Sequence, residues 1–171
     1  MVPITVQTLI VTAAPGPSVV VLRPLEDSVS EGKYRIVPIW VGVAEATQLS
    51  LALEHTKMTR PMTHDLFLDA ITNLDARIDH VLINDVKGAM FFSKLFLRQH
   101  DRLIELDARP SDALSLALRQ EAPLFIEESV LERASYPYIV RKKLDESFAQ
   151  KELAEFHSFL EDLNPEDFAS E

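Results

Sequence analysis

Asp107-Ala108-Arg109-Pro110-Ser111-Asp112-Ala113-Leu114 joins an alternating apolar run to one with helical spacing. It reads as a strand-to-helix corner, because the apolar period changes across it from two residues to about 3.6. From Asp107 to Asp112 the corner carries two carboxylates, a guanidinium and a hydroxyl. A second stretch, Arg60-Pro61-Met62-Thr63-His64-Asp65-Leu66, has the same build: Arg-Pro, a hydroxyl residue, then an Asp in the first helical turn. Any chemistry this chain performs is expected at these two corners.

Outward from the corners the chain reads as alternating strands and helices. Ile4 to Val11 has the two-residue period of a strand, Pro15-Gly16-Pro17 interrupts it, and Val19 to Leu22 completes a hairpin. Tyr34 to Val41 is a third strand, and its Pro38 cannot donate to a ladder, which predicts an edge, a bulge or a bend there. Ala44 to His55 is a helix with Glu45 in its first turn, and Thr63 is expected to cap a second helix bearing Leu66, Ala70, Ile71 and Leu74. Ala76 to Val86 and Ala89 to Leu97 form a hairpin across Lys87-Gly88. Phe91, Phe92 and Phe96 are read as core rather than as a stacking platform for bases. After a strand from Leu103 to Leu106, the decisive corner leads into a helix from Ser111 to Gln120. A short strand, Leu124 to Ile126, and a short helix, Ser129 to Arg133, follow.

Tyr136-Pro137-Tyr138 marks a boundary between a domain over 1–138 and an acidic extension over 139–171. In the extension Leu144, Phe148, Leu153, Phe156 and Leu160 predict an amphipathic helix over 142–163. Its stripe would pack on the domain or on another subunit.

Composition excludes several functions. The 171-residue chain has no cysteine, so structural disulfides and cysteine-rich zinc sites are out. Four glycines leave no room for a nucleotide-binding loop, and Ser111 lacks the setting of a nucleophile elbow. No apolar run could span a bilayer and the N-terminus lacks a basic start, so a cytoplasmic protein without a membrane partner is expected. The net charge is −10, and residues 141–171 hold four basic against nine acidic side chains. Such a balance argues against broad binding of a polyanion, but leaves room for a local basic cleft or an acidic site holding a divalent cation.

Helix capping accounts for much of each corner: Thr63 and Ser111 as N-caps, Asp65 and Asp112 as partners of the helix dipole. Asp107 and Arg109 are what capping leaves unexplained. Two helix starts flanked by Arg60 and Arg109 suit an anion or phosphate, and Asp107 with Asp112 suits a hard divalent cation.

Pro38-Ile39-Trp40-Val41-Gly42 with Glu45-Ala46, then the Arg60–Leu66 stretch, then Asp107–Ala113 resemble, in this order, the bifunctional nuclease family. The resemblance covers about residues 3–135. It implies an α+β domain whose bent, largely antiparallel β-sheet is flanked by helices, a tendency to form a homodimer, and cleavage of both RNA and DNA. The acidic tail departs from relatives that carry a helical hairpin of the UVR type there, so nothing links it to repair complexes. On the nuclease reading Asp107, Asp112, Asp65 and Glu45 hold Mg2+ or Mn2+, Arg60 and Arg109 stabilise the transition state, and His64 moves a proton. Thr63, Ser111 and Trp40 would contact the nucleic acid. The alternative is a non-catalytic module that binds an anionic ligand or acts as an oligomer.

Overall fold

The structure, a computed structural model, describes residues 1–12, 16–25 and 33–139. The helix expected over 142–163 and the extension that holds it lie outside the described residues. Among the described residues, eight strands form one sheet: β1 (Val2–Ile10), β2 (Ser18–Pro24), β3 (Lys33–Val41), β4 (Ala76–Lys87), β5 (Met90–Gln99), β6 (Arg102–Ala108), β7 (Leu124–Ile126) and β8 (Tyr136–Ile139). Among the same residues, four helices accompany them: α1 (Val43–Leu53), α2 (Thr63–Asn73), α3 (Pro110–Gln120) and α4 (Glu128–Ala134). The strand order is β6-β5-β4-β7-β1-β2-β3-β8, and every pairing is antiparallel except β4 with β7. The domain is therefore α+β, as the resemblance implies.

Strand alternation sorts the side chains onto two faces. Val20, Leu22, Val37 and Ile39 share a core with Val81, Ile83, Leu95 and Leu97, and Leu49 of α1, Ile71 of α2 and Leu114 of α3 close it. Their alternates Val19, Val21 and Ile36 form a smaller cluster on the opposite face, with Trp40 packed against it. Burying one side chain such as Leu22, Leu49 or Leu114, each fully covered, contributes roughly 1.5–3 kcal/mol. These clusters fix which face each site residue occupies.

The structure fills in three details of the sequence reading. Pro38 pairs with Val21, but β8 covers β3 only from Lys33 to Ile36, so at Pro38 the strand is locally an edge and no ladder bond is lost. Tyr136-Pro137-Tyr138, where the sequence reading ends the domain, belongs to the outermost strand, laid against β3. Of the three phenylalanines read as core, Phe91 alone is buried; Phe92 and Phe96 point to the other face and stay half-buried. The turn between β4 and β5 uses Gly88 at φ +57°, a conformation that glycine adopts without steric cost.

Candidate functional site: a junction of three helix starts

α1, α2 and α3 begin in the same way. Their N-caps are Gly42, Met62 and Arg109, and none makes a side-chain cap bond. Each helix instead places an acid at its third residue: Glu45, Asp65 and Asp112. Thr63 and Ser111, expected as caps, are the first residue of α2 and the second of α3; Thr63 is exposed and Ser111 buried. The prolines explain the shift at Ser111. Pro110 has no amide hydrogen to satisfy and a φ suited to the first helical position, so it starts α3 and Arg109 becomes the cap.

Two arginines tie the three acids together. Arg109 meets Asp112 edge-on, Nε to Oδ2 at 2.8 Å and Nη2 to Oδ1 at 3.2 Å, and reaches Glu45 Oε1 through Nη1 at 2.9 Å. Asp112 and then Glu45 push its proton affinity still higher. Arg119, on the third turn of α3, donates through Nε to Asp65 Oδ1 at 2.9 Å, to the carbonyls of Ser115 and Gln48 at 2.9 and 3.3 Å, and to Gln48 Oε1 at 3.0 Å. Its side chain is 11 % exposed against 65 % for Arg109. Asp65 also accepts from the Met62 amide at 2.9 Å. Burial pushes its carboxyl up, but the Met62 amide and Arg119 outweigh that and hold it below the usual range.

His64 lies in the seam between α2 and α3, its Nε2 3.5 Å from Asp112 Oδ1. Burial, reinforced by Arg119, lowers its pKa against the pull of Asp112, so the ring is neutral at pH 7. Nδ1 is buried without a partner among the described residues. That placement suits a structural wedge better than a proton carrier, which needs an open path to its substrate. Arg60 is exposed and, among the described residues, makes no hydrogen bond or ion pair.

Beside Arg109 the end of β3, the β4–β5 turn and the end of β6 enclose a pocket of about 430 Å³. Trp40, Met90, Phe91 and Phe92 form its apolar wall; Glu45, Asp107, Arg109 and Ser111 supply the polar side. Asp107 stands opposite Lys94 in the sheet register, exposed, and has no hydrogen bond or ion pair among the described residues. Gly42 also lines the pocket, and a Cβ there would lie 2.5 Å from Glu45 Oε2. With φ −69° and ψ 169°, its backbone suits any residue. A side chain at this position would have to swing the flexible end of Glu45 out of that space.

The four carboxylates nominated for Mg2+ or Mn2+ do not assemble. Glu45 and Asp112 converge on Arg109, Asp65 on Arg119, and Asp107 stands apart across the corner. Among the described residues no three His, Asp or Glu side chains are grouped to hold a metal ion. A hard divalent ion needs several oxygens around one point, and here a guanidinium takes that place. Arg119 is the residue the sequence reading passed over. It sits in the last turn of α3 and its acid lies 54 positions away, so no local spacing announces the pair. The one usable signal was a charge bordering the buried stripe of Ala113, Leu116 and Ala117.

The chain belongs to the bifunctional nuclease domain family, whose sequence profile matches residues 26–138. It is 35 % identical over 138 residues to the uncharacterized protein Rv1829 of Mycobacterium tuberculosis, covering 78 % of this chain and 81 % of that protein. It is 27 % identical over 121 residues to bifunctional nuclease 2 of Oryza sativa subsp. japonica, covering 69 % of this chain and 35 % of the rice protein. Bifunctional nuclease 1 of Oryza sativa subsp. indica is 23 % identical over 103 residues, which cover 58 % of this chain and 31 % of that protein. Among the described residues no helix is long and apolar enough to cross a membrane.

Proposed function

We propose that this domain binds flexible nucleic acid at the Arg109 corner and hydrolyses its phosphodiester bonds. The observation that carries the reading is the pocket, in which a largely aromatic wall and a 65 %-exposed guanidinium meet. Rings of that kind stack on bases, and an exposed arginine meets backbone phosphate. The names of the rice relatives support the nuclease half of the proposal. A divalent ion would neutralise phosphate charge, but among the described residues no three carboxylates are grouped to hold one, and no step here runs through it. The family resemblance also supports a homodimer as the acting unit, which sedimentation of the full chain tests.

The test is incubation of the purified chain with labelled single-stranded DNA and RNA, in Mg2+, in Mn2+ and in chelator. Arg109→Ala should abolish whatever cleavage appears. Cleavage that survives the substitution belongs to a contaminant and sinks the proposal. A second reading, binding without cleavage, is favoured by Arg109 being already neutralised by two acids. Retained binding with no cleavage in any of the three conditions would decide for it.

A further inference from the structure

The polar groups of the pocket are not equivalent. Arg109 has its charge answered by Asp112 and Glu45, and Glu45 is held by Arg109 through Oε1. Asp107 is the pocket's unengaged charge among the described residues. An ionised carboxylate only accepts hydrogen bonds, so an unpaired one beside an aromatic wall is completed by a flat ligand that donates. A phosphate, which also only accepts when ionised, would meet Asp107 with like charge.

We propose that the pocket takes a nucleobase bearing an exocyclic amino group, and that Asp107 accepts from that group and so sets base preference. The inference rests on the reading of the domain as a nucleic-acid-binding one and deepens it. Its dimensions agree: about 430 Å³ lies within the range of small-ligand pockets, and flipped-out bases are held between aromatic and apolar side chains. Cytosine, adenine and guanine each offer an amino donor; carboxylates accept from the cytosine amino group in known base readout. Thymine and uracil offer one ring N–H between two carbonyl oxygens, and those oxygens would face the carboxylate. Trp40, Met90 and Phe92 provide the stacking surface, while the base's own phosphate lies outward toward Arg109.

Fluorescence anisotropy on the full chain tests this with oligodeoxycytidylate against oligothymidylate, and with free cytidine against thymidine as competitors. The wild type should bind the cytosine strand roughly tenfold tighter, the worth of one charge-assisted hydrogen bond. Asp107→Asn carries both a donor and an acceptor, so it should bring the two strands to within about twofold of each other. Asp107 is exposed, so the variant should fold, and an unchanged thermal midpoint verifies it. Equal binding of both strands by the wild type overturns the inference while leaving the proposed function standing. So does a preference that survives Asp107→Asn. Failure to bind either strand overturns the proposed function; if cytidine then still binds over thymidine, by displacement or thermal shift, the base pocket stands alone, and if neither nucleoside binds, it falls too.

Discussion

The two Arg-Pro corners are near-copies in sequence and opposites in structure. At the second, Arg109 caps α3 and Asp112 follows three residues later, within reach of a bidentate pair. At the first, two more residues separate the arginine from the acid, so Arg60 precedes the cap Met62 by two residues and Asp65 lies five residues after Arg60. Arg60 therefore cannot fold onto its own acid, and Asp65 is taken by Arg119 from another helix. One corner became a partly open ion-pair cluster beside a pocket. The other became a half-buried tie between helices, which lines a second pocket of about 440 Å³. Spacing, rather than residue type, decided which is which.

Breaking the tie should cost most. Arg119→Met leaves Asp65 and Gln48 without their donor in a largely buried seam and should lower stability by about 2–3 kcal/mol, reduced from the fully buried case because Asp65 is partly solvated. Arg60→Ala should stay within about 0.5 kcal/mol. Urea denaturation of both variants checks the contrast, and equal losses would mean the corners are not distinguished as described. Gly42→Ala should come next, at less than about 1 kcal/mol, because its methyl group need only swing aside the flexible end of Glu45. Introduced together with Glu45→Ala, the same substitution should be nearly neutral, so the two changes are expected to be non-additive.

Arg109→Ala should alter stability by less than about 1 kcal/mol, since its pairs are solvent-exposed and weak. Thermal denaturation in low and high salt measures it, and a larger loss would make Arg109 a structural residue. The smallest effect concerns His64. Its folded pKa lies below 6.5, so on acidification the unfolded chain takes up the proton first. The contribution is fully present above about pH 6.5 and is lost as pH falls through the lower folded value. Asp65 adds a separate loss of the same sign at more acid pH, below the ordinary carboxylate range. A stability–pH profile that keeps its slope just below pH 6.5 in His64→Gln would contradict this assignment.

Much of this was legible from residue order. Alternation in Ile4–Val11 and Ala76–Val86, and the helical spacing of Ala44–His55, are local signals that the tertiary fold did not override. Capping was misread because Ser and Thr favour the cap in general, whereas Pro110 and the acids at the third helical positions decided these helices. Asp107 and Arg109, the residues that capping by Thr and Ser leaves unexplained, both line the pocket, although Arg109 itself takes the cap position of α3. Where the four nominated acids lie relative to one another is not legible from spacing. Whether four acids meet depends on where two arginines land, and Arg119 reaches its acid only after the chain has folded. Phe92 and Phe96 failed for a related reason: alternation shows that they face away from Phe91 but not which face the helices cover.

The contrast between the corners can be tested most directly by the affinity for a labelled single-stranded oligonucleotide of the wild type, Arg109→Ala and Arg60→Ala, measured side by side at one salt concentration. The account predicts a loss of at least about tenfold for Arg109→Ala and less than about twofold for Arg60→Ala. Equal losses at both corners, or an Arg109→Ala protein that binds like the wild type, would contradict it.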